Sequence, residues 1–146
     1  MSTDRSIVQH NVSAALARRM IDAGRAHAEA EGGSFTIAIV DASGVLKALE
    51  RMDGAPLVSI QVSQDKAYTA VGFGMPSGAW HDFIKDDPPL ADGAPSGIER
   101  LVIFGGGYPI QVDGQVVGAI GVSGGHYSQD QQVAEAGLEA LGVPVG

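Results

Sequence analysis

The sequence predicts an α+β fold: a five-stranded antiparallel sheet with helices packed on it. Two observations carry this. Apolar, β-prone runs come in pairs joined by tight turns, residues 35–41 with 45–51 and the segment around Ile110 and Val112 with residues 116–122, and connections this short suit antiparallel neighbours rather than parallel ones. Stretches with helical spacing of apolar residues lie before, between and after these pairs. The order is therefore helix, two strands, two helices, three strands, helix.

The first helix is predicted over residues 11–31, opened by Asn11 or Ser13 and stopped by Gly32-Gly33. Leu16, Met20, Ala23, His27 and Ala30 recur at alternating four- and three-residue steps, which puts His27 at the edge of the apolar stripe. FTIAIVD and VLKALER follow as a hairpin around Ala42, Ser43 and Gly44.

A turn at Asp53-Gly54 and a proline at position 56 introduce the second helix, with Leu57, Ile60, Ala67 and Val71 apolar and an end near Gly72 to Gly74. Asp65 and Lys66 are adjacent in its middle. Neighbours on a helix point about 100° apart, so they need not pair with each other, and composition alone places both on the surface. Ser77 opens a short third helix carrying Trp80, His81, Phe83 and Ile84, and Asp86 to Pro89 are expected to stop it. LADGAPSGIER then reads as a turn-rich connection of the kind that forms a lid or a subunit contact.

LVIF, residues 101–104, restarts the sheet before a glycine-rich hairpin turned by Asp113-Gly114, the dipeptide suited to a two-residue turn with positive φ. Its second strand runs into SGGHYSQD, where Ser128 and Gln131 have the spacing of a capping box. The last helix, residues 129–141, is expected to bury Ala134, Leu138 and Leu141 and to stop at Gly142 and Pro144.

At 146 residues and 45% hydrophobic, the chain is read as one domain spanning residues 1–146. A net charge of −8 argues against nucleic acid or an anionic membrane as the main partner, because both call for a basic face. With no cysteine, disulfides, thiolate metal sites and cysteine nucleophiles drop out together. The N-terminal stretch has no apolar signal region, and a cytoplasmic location is expected.

IAIVDASGVLKALERMDGAP, DKAYTA and GGGYPIQVDGQVVGAIGVSGG, in that order, resemble the family of small proteins related to GlcG and to the heme-binding protein HbpS. The resemblance covers nearly the whole chain and extends to a domain that accompanies PduO-type corrinoid adenosyltransferases. It implies a profilin-like fold with a five-stranded antiparallel sheet, assembly into homo-oligomers from dimer to octamer, and binding of a small ligand, heme or iron in some members. WHDFIKDDPPL and GGHYSQD fall outside the shared blocks.

Two functional readings stay open at this point. In the first the chain binds a small ligand of the heme kind. His27 is then the candidate metal ligand, since a neutral imidazole on an apolar stripe suits heme iron, with Arg51, Gly106, Gly124 and Gly125 as further cofactor-binding candidates. No CxxCH occurs, which excludes covalent c-type attachment.

In the second reading the chain is a cofactor-independent catabolic enzyme, an isomerase, tautomerase, lyase or hydratase acting on a small oxygenated metabolite. His126 beside the Gly-Gly bend and His81 would serve as acid and base, with Lys66, Asp65, Tyr127 and Asp130 as further donors and acids. Ser123 sits in G-x-S-G-G, which matches the nucleophile-elbow pattern in form. H-E-x-x-H, a calcium loop, a Walker loop and a dinucleotide fingerprint are all absent.

Overall fold

The computed structural model describes residues 5–142. Helix α1 (Ala14–Glu31) leads into the hairpin β1 (Thr36–Asp41) and β2 (Leu46–Arg51), followed by α2 (Ser59–Phe73). A 3-10 turn (Ser77–Ala79), α3 (Trp80–Ile84) and α4 (Pro88–Gly97) come next. The hairpin β3 (Gly107–Val112) and β4 (Gln115–Ser123), then α5 (Tyr127–Leu138) and a closing 3-10 turn (Glu139–Leu141), complete the order. The sheet is antiparallel throughout, in the order β2-β1-β4-β3.

Alternation along the strands splits the core in two. Ile37, Ile39, Ile110, Ile120 and Val122 face α1 and α5, where Met20, Ile21, Val133 and Ala134 meet them. Each such branched side chain withdrawn from water contributes roughly 1.5–3 kcal/mol. The opposite face is built of small residues. Val40 and Ala119 pack on Ala67 and Ala70 of α2, and methyl groups on Gly121 and Gly107 would fall onto the carbonyl oxygens of Ser63 and Lys66. Glycine at these two positions lets α2 lie against the sheet backbone.

The Asp113-Gly114 turn has φ of 52° and 78° at its two central residues, the geometry that matches the twist of a two-residue hairpin. Ser13 caps α1 through the Leu16 amide, and Gly32 closes it in the left-handed conformation at φ 77°.

The structure corrects five expectations. The sheet has four strands rather than five: residues 101–104 form no strand. Side chains claim this segment's backbone instead, the Val102 amide donating to Thr69 Oγ1 and Ser77 Oγ donating to the Phe104 carbonyl. The connection expected after residue 89 is a helix over Pro88–Gly97. Its two leading prolines start the helix rather than stop the preceding one, because the first turn needs no amide donors, and Asp87 caps it.

The buried stripe of α1 is Ala17, Met20, Ile21, Gly24 and Ala28, rotated from the predicted one, so Ala23 is only half-buried and Ala30 is exposed, while His27 is half-buried at the stripe edge as expected. The cap of α5 lies at His126 with Gln129, two residues before the predicted Ser128 and Gln131. Finally, Asp65 and Lys66 are not freely solvated surface groups: Lys66 is 0% exposed, and Asp65 is half-buried and pairs with Arg100. Pro144, the predicted end of the tail, lies outside the described residues.

Candidate functional site

A cleft of about 480 Å³ lies between α3 and the start of α5. Gly78, His81 and Asp82 form one wall, Ile103, Phe104 and Gly105 a second, and Tyr127 and Gln131 a third. Phe104 and Tyr127 are each 48% exposed, so two aromatic faces stand open to an incoming molecule. Gly78 and Gly105 let these walls pack closely: a methyl group at Gly105 would sit 2.5 Å from the amide carbon of Gln131, and one at Gly78 would sit 3.1 Å from Gly105 Cα.

Trp80, the only tryptophan, anchors this wall from behind. It is buried between Phe73 and Phe83 with edge-to-face contacts of 4.5 and 5.5 Å between ring centroids, an arrangement favoured by the aromatic quadrupole.

Behind Phe104 lies a buried charge pair. Lys66 reaches from α2 to the end of the sheet, where Nζ donates to the Val122 carbonyl at 2.9 Å and to Asp130 Oδ2 at 2.8 Å. Asp130 Oδ1 accepts the Gly125 amide at 3.1 Å. Burial pushes the Lys66 ammonium below its ordinary pKa and the Asp130 carboxyl above its own, and the attraction between the partners offsets only part of each shift. The Phe104 ring centroid is 5.1 Å from Nζ, within cation–π range.

The sequence-predicted residues are thus distributed. His81 and Tyr127 line the cleft together. His126 stacks on Tyr127 at 4.3 Å, and its Nδ1 accepts the Ser128 amide to cap α5. Lys66 is enclosed with Asp130. Asp65, pointing about 100° away from Lys66 around α2, binds Arg100 at 2.8 Å. Of the groups named for acid/base chemistry, His81 and Tyr127 therefore share the cleft and Lys66 pairs with Asp130, while Asp65 is engaged elsewhere.

The heme-ligand candidates divide likewise. His27 lines a cavity of only about 70 Å³ with Glu31, Gly33 and Phe35, and its Nε2 is shut off from solvent with no hydrogen-bond partner among the described residues. Ligand pockets typically enclose about 300–1,000 Å³. Arg51 donates to the Ala55 carbonyl. Gly106 lies against Lys66, and Gly124 lies against Ser34 and Phe35. Ser123 is 9% exposed at the end of β4, paired across the sheet with Thr36.

Phe104, Gly105, Asp82 and Gln131 escaped the sequence reading. The usable signal was glycine at positions 78 and 105, where the backbone approaches another side chain closely. Among the described residues no cluster of three or more metal-binding side chains occurs, and no helix is long and apolar enough to cross a membrane.

Residues 12–139 match the family model described as haem degrading protein, HbpS-like. The chain is 34% identical over 130 residues to an uncharacterized 15.0 kDa protein from the dhaT-dhaS intergenic region of Citrobacter freundii, covering 89% of this chain and 92% of that one. It is 35% identical over 112 residues to protein GlcG of Escherichia coli, covering 77% and 81%. Among solved structures, the crystal structure of a PduOC:heme complex superposes with a TM-score of 0.85 at 30% identity, covering 92% of this chain and 98% of that one.

Proposed function

The chain belongs to the HbpS-like family, and from that premise we propose that it binds a small planar ligand of the heme class in the cleft between α3 and α5. The observation that carries the proposal is the cleft itself: about 480 Å³, open, with aromatic faces at Phe104 and Tyr127 and a histidine at its rim. The likeness to a protein crystallised with heme supports the choice of ligand class.

The residues present fit the group. Glycine at 78 and 105 lets the walls close on each other and on Gln131, Phe104 and Tyr127 offer the planar contacts a porphyrin takes, and His81 is exposed with an imidazole suited to iron. When bound, heme supplies a redox-active iron. The chain's own part is to hold the ring, to present His81, and to shield one face from water with Phe104. His27 is not assigned this role, because its buried Nε2 opens onto no space for a macrocycle.

Assembly into a homo-oligomer, from dimer to octamer, belongs to the same reading. Exposed apolar side chains such as Phe73, Phe83 and Leu57, 50%, 62% and 75% accessible, supply surface for it. The test is a hemin titration followed by absorbance. A saturable Soret shift, lost in His81→Ala and kept in His27→Ala, is the expected result; loss in His27→Ala alone would refute the assignment to this cleft.

A further inference from the structure

The wall between the cleft and the buried lysine is one aromatic ring thick. An ammonium carries three N–H donors, and Lys66 Nζ meets two acceptors among the described residues, the Val122 carbonyl at 2.9 Å and Asp130 Oδ2 at 2.8 Å. Phe104 covers the ammonium from another direction, with its ring centroid 5.1 Å from Nζ, and that same side chain lines the cleft while remaining 48% exposed. The backbone beside it also packs on the lysine. Gly106 has φ +128°, and a methyl group there would sit 2.7 Å from Nζ.

Charge sharpens the point. No lysine or arginine lines the cleft, whose formal charge comes from Asp82, and the chain as a whole carries −8. A ligand bearing a carboxylate finds no fixed cation on the cleft surface. Lys85 Nζ, 3.2 Å from Asp82 Oδ1, is already paired at the rim, and the buried cation beside the cleft is Lys66, behind Phe104.

We propose that Lys66 is the anchor for a carboxylate of the ligand, reached when the Phe104 ring swings off the ammonium and the anion takes its place against the third N–H. This rests on the cleft reading above and deepens it by naming the ligand as a planar carboxylic acid. Phe104 serves as the gate: it screens the ammonium from water while the cleft is empty and yields to an anion that binds it more strongly than a ring face does. The segment that carries Phe104 forms neither helix nor strand, so the motion needed is a side-chain rotation on an irregular stretch.

The experiment compares hemin, which carries two free propionates, with hemin dimethyl ester, in which both are capped, using quenching of Trp80 fluorescence to read binding without reference to iron ligation. The wild-type chain is expected to prefer hemin by roughly tenfold or more, the scale of one hydrogen bond to a charged group. Phe104→Ala, at an exposed position, should speed hemin association. Lys66→Met combined with Asp130→Asn removes both charges together and keeps the site neutral, so that the variant folds; in it the preference should vanish while affinity for the ester is unchanged. Saturable and equal binding of hemin and ester by the wild-type chain would overturn the carboxylate anchor and leave the cleft reading standing. Quenching by neither compound would remove both.

Discussion

Lys66 Nζ and Asp130 Oδ2 stand 2.8 Å apart on side chains that are 0% and 3% exposed, joining α2 to α5 across a gap of 64 residues in sequence. The pair holds three parts of the chain at one point: the end of β4 through the Val122 carbonyl, the glycine bend through the Gly125 amide, and the cleft wall through Phe104.

Breaking the pair from one side leaves a buried charge without its counterion. Lys66→Met is expected to lower the unfolding free energy by about 3–5 kcal/mol, whereas Lys66→Met with Asp130→Asn should recover most of that loss. Urea denaturation of the four members of the cycle measures it. A double variant no more stable than the single would mean that the pair contributes by packing rather than by charge.

The pH dependence follows from the same burial. Asp130 titrates above its ordinary 3.8 in the folded state. As pH rises from that value through the folded pKa, the native state holds more protons than the unfolded one, and this group's contribution to stability falls. Lys66 titrates below its ordinary 10.5. Between its folded pKa and 10.5 the unfolded state holds the extra proton, so its contribution rises with pH. Carboxyl-carbon NMR of Asp130 should give a midpoint above 3.8; a midpoint at or below that value would contradict the account.

Close packing of α2 on the sheet makes opposite predictions for two glycines. Gly121→Ala drives a methyl group onto the Ser63 carbonyl and is expected to cost about 3 kcal/mol. Gly72→Ala, within α2 and with nothing near its Cβ position, should stabilise by roughly 0.5–1 kcal/mol. Thermal unfolding of both variants tests whether the glycine pattern reports contact or only turn geometry.

Helix α4 provides a local check. Asp87 accepts the Leu90 amide at 3.4 Å, and Asp87→Ala should cost about 1 kcal/mol, read as faster amide exchange over residues 90–97. Unchanged exchange there would show that Pro88 and Pro89 set the helix start without the cap.

Local chemistry decided what the sequence made legible. The Asp113-Gly114 hairpin, the Gly32 stop of α1 and the β1–β2 pairing depend on residues a few positions apart, and each appears where its pattern stands. LVIF failed as a fifth strand because its backbone is taken by Thr69 and Ser77, hydroxyls about 30 residues away with no trace in the local pattern. Lys66 looked like a surface residue for a similar reason: its partner comes from another helix. His81 and Tyr127 were both legible as polar candidates, but their sharing of one cleft depends on Phe104 and Gly105, which carry no titratable group to draw notice.

The most direct measurement is a ¹⁵N–¹H spectrum of the labelled chain titrated with gallium protoporphyrin, a diamagnetic stand-in for heme. Saturable shifts centred on Gly78, His81, Phe104, Gly105 and Tyr127 are predicted. Shifts centred instead on His27, Gly33 and Phe35, or no saturable shift at all, would contradict ligand binding in this cleft.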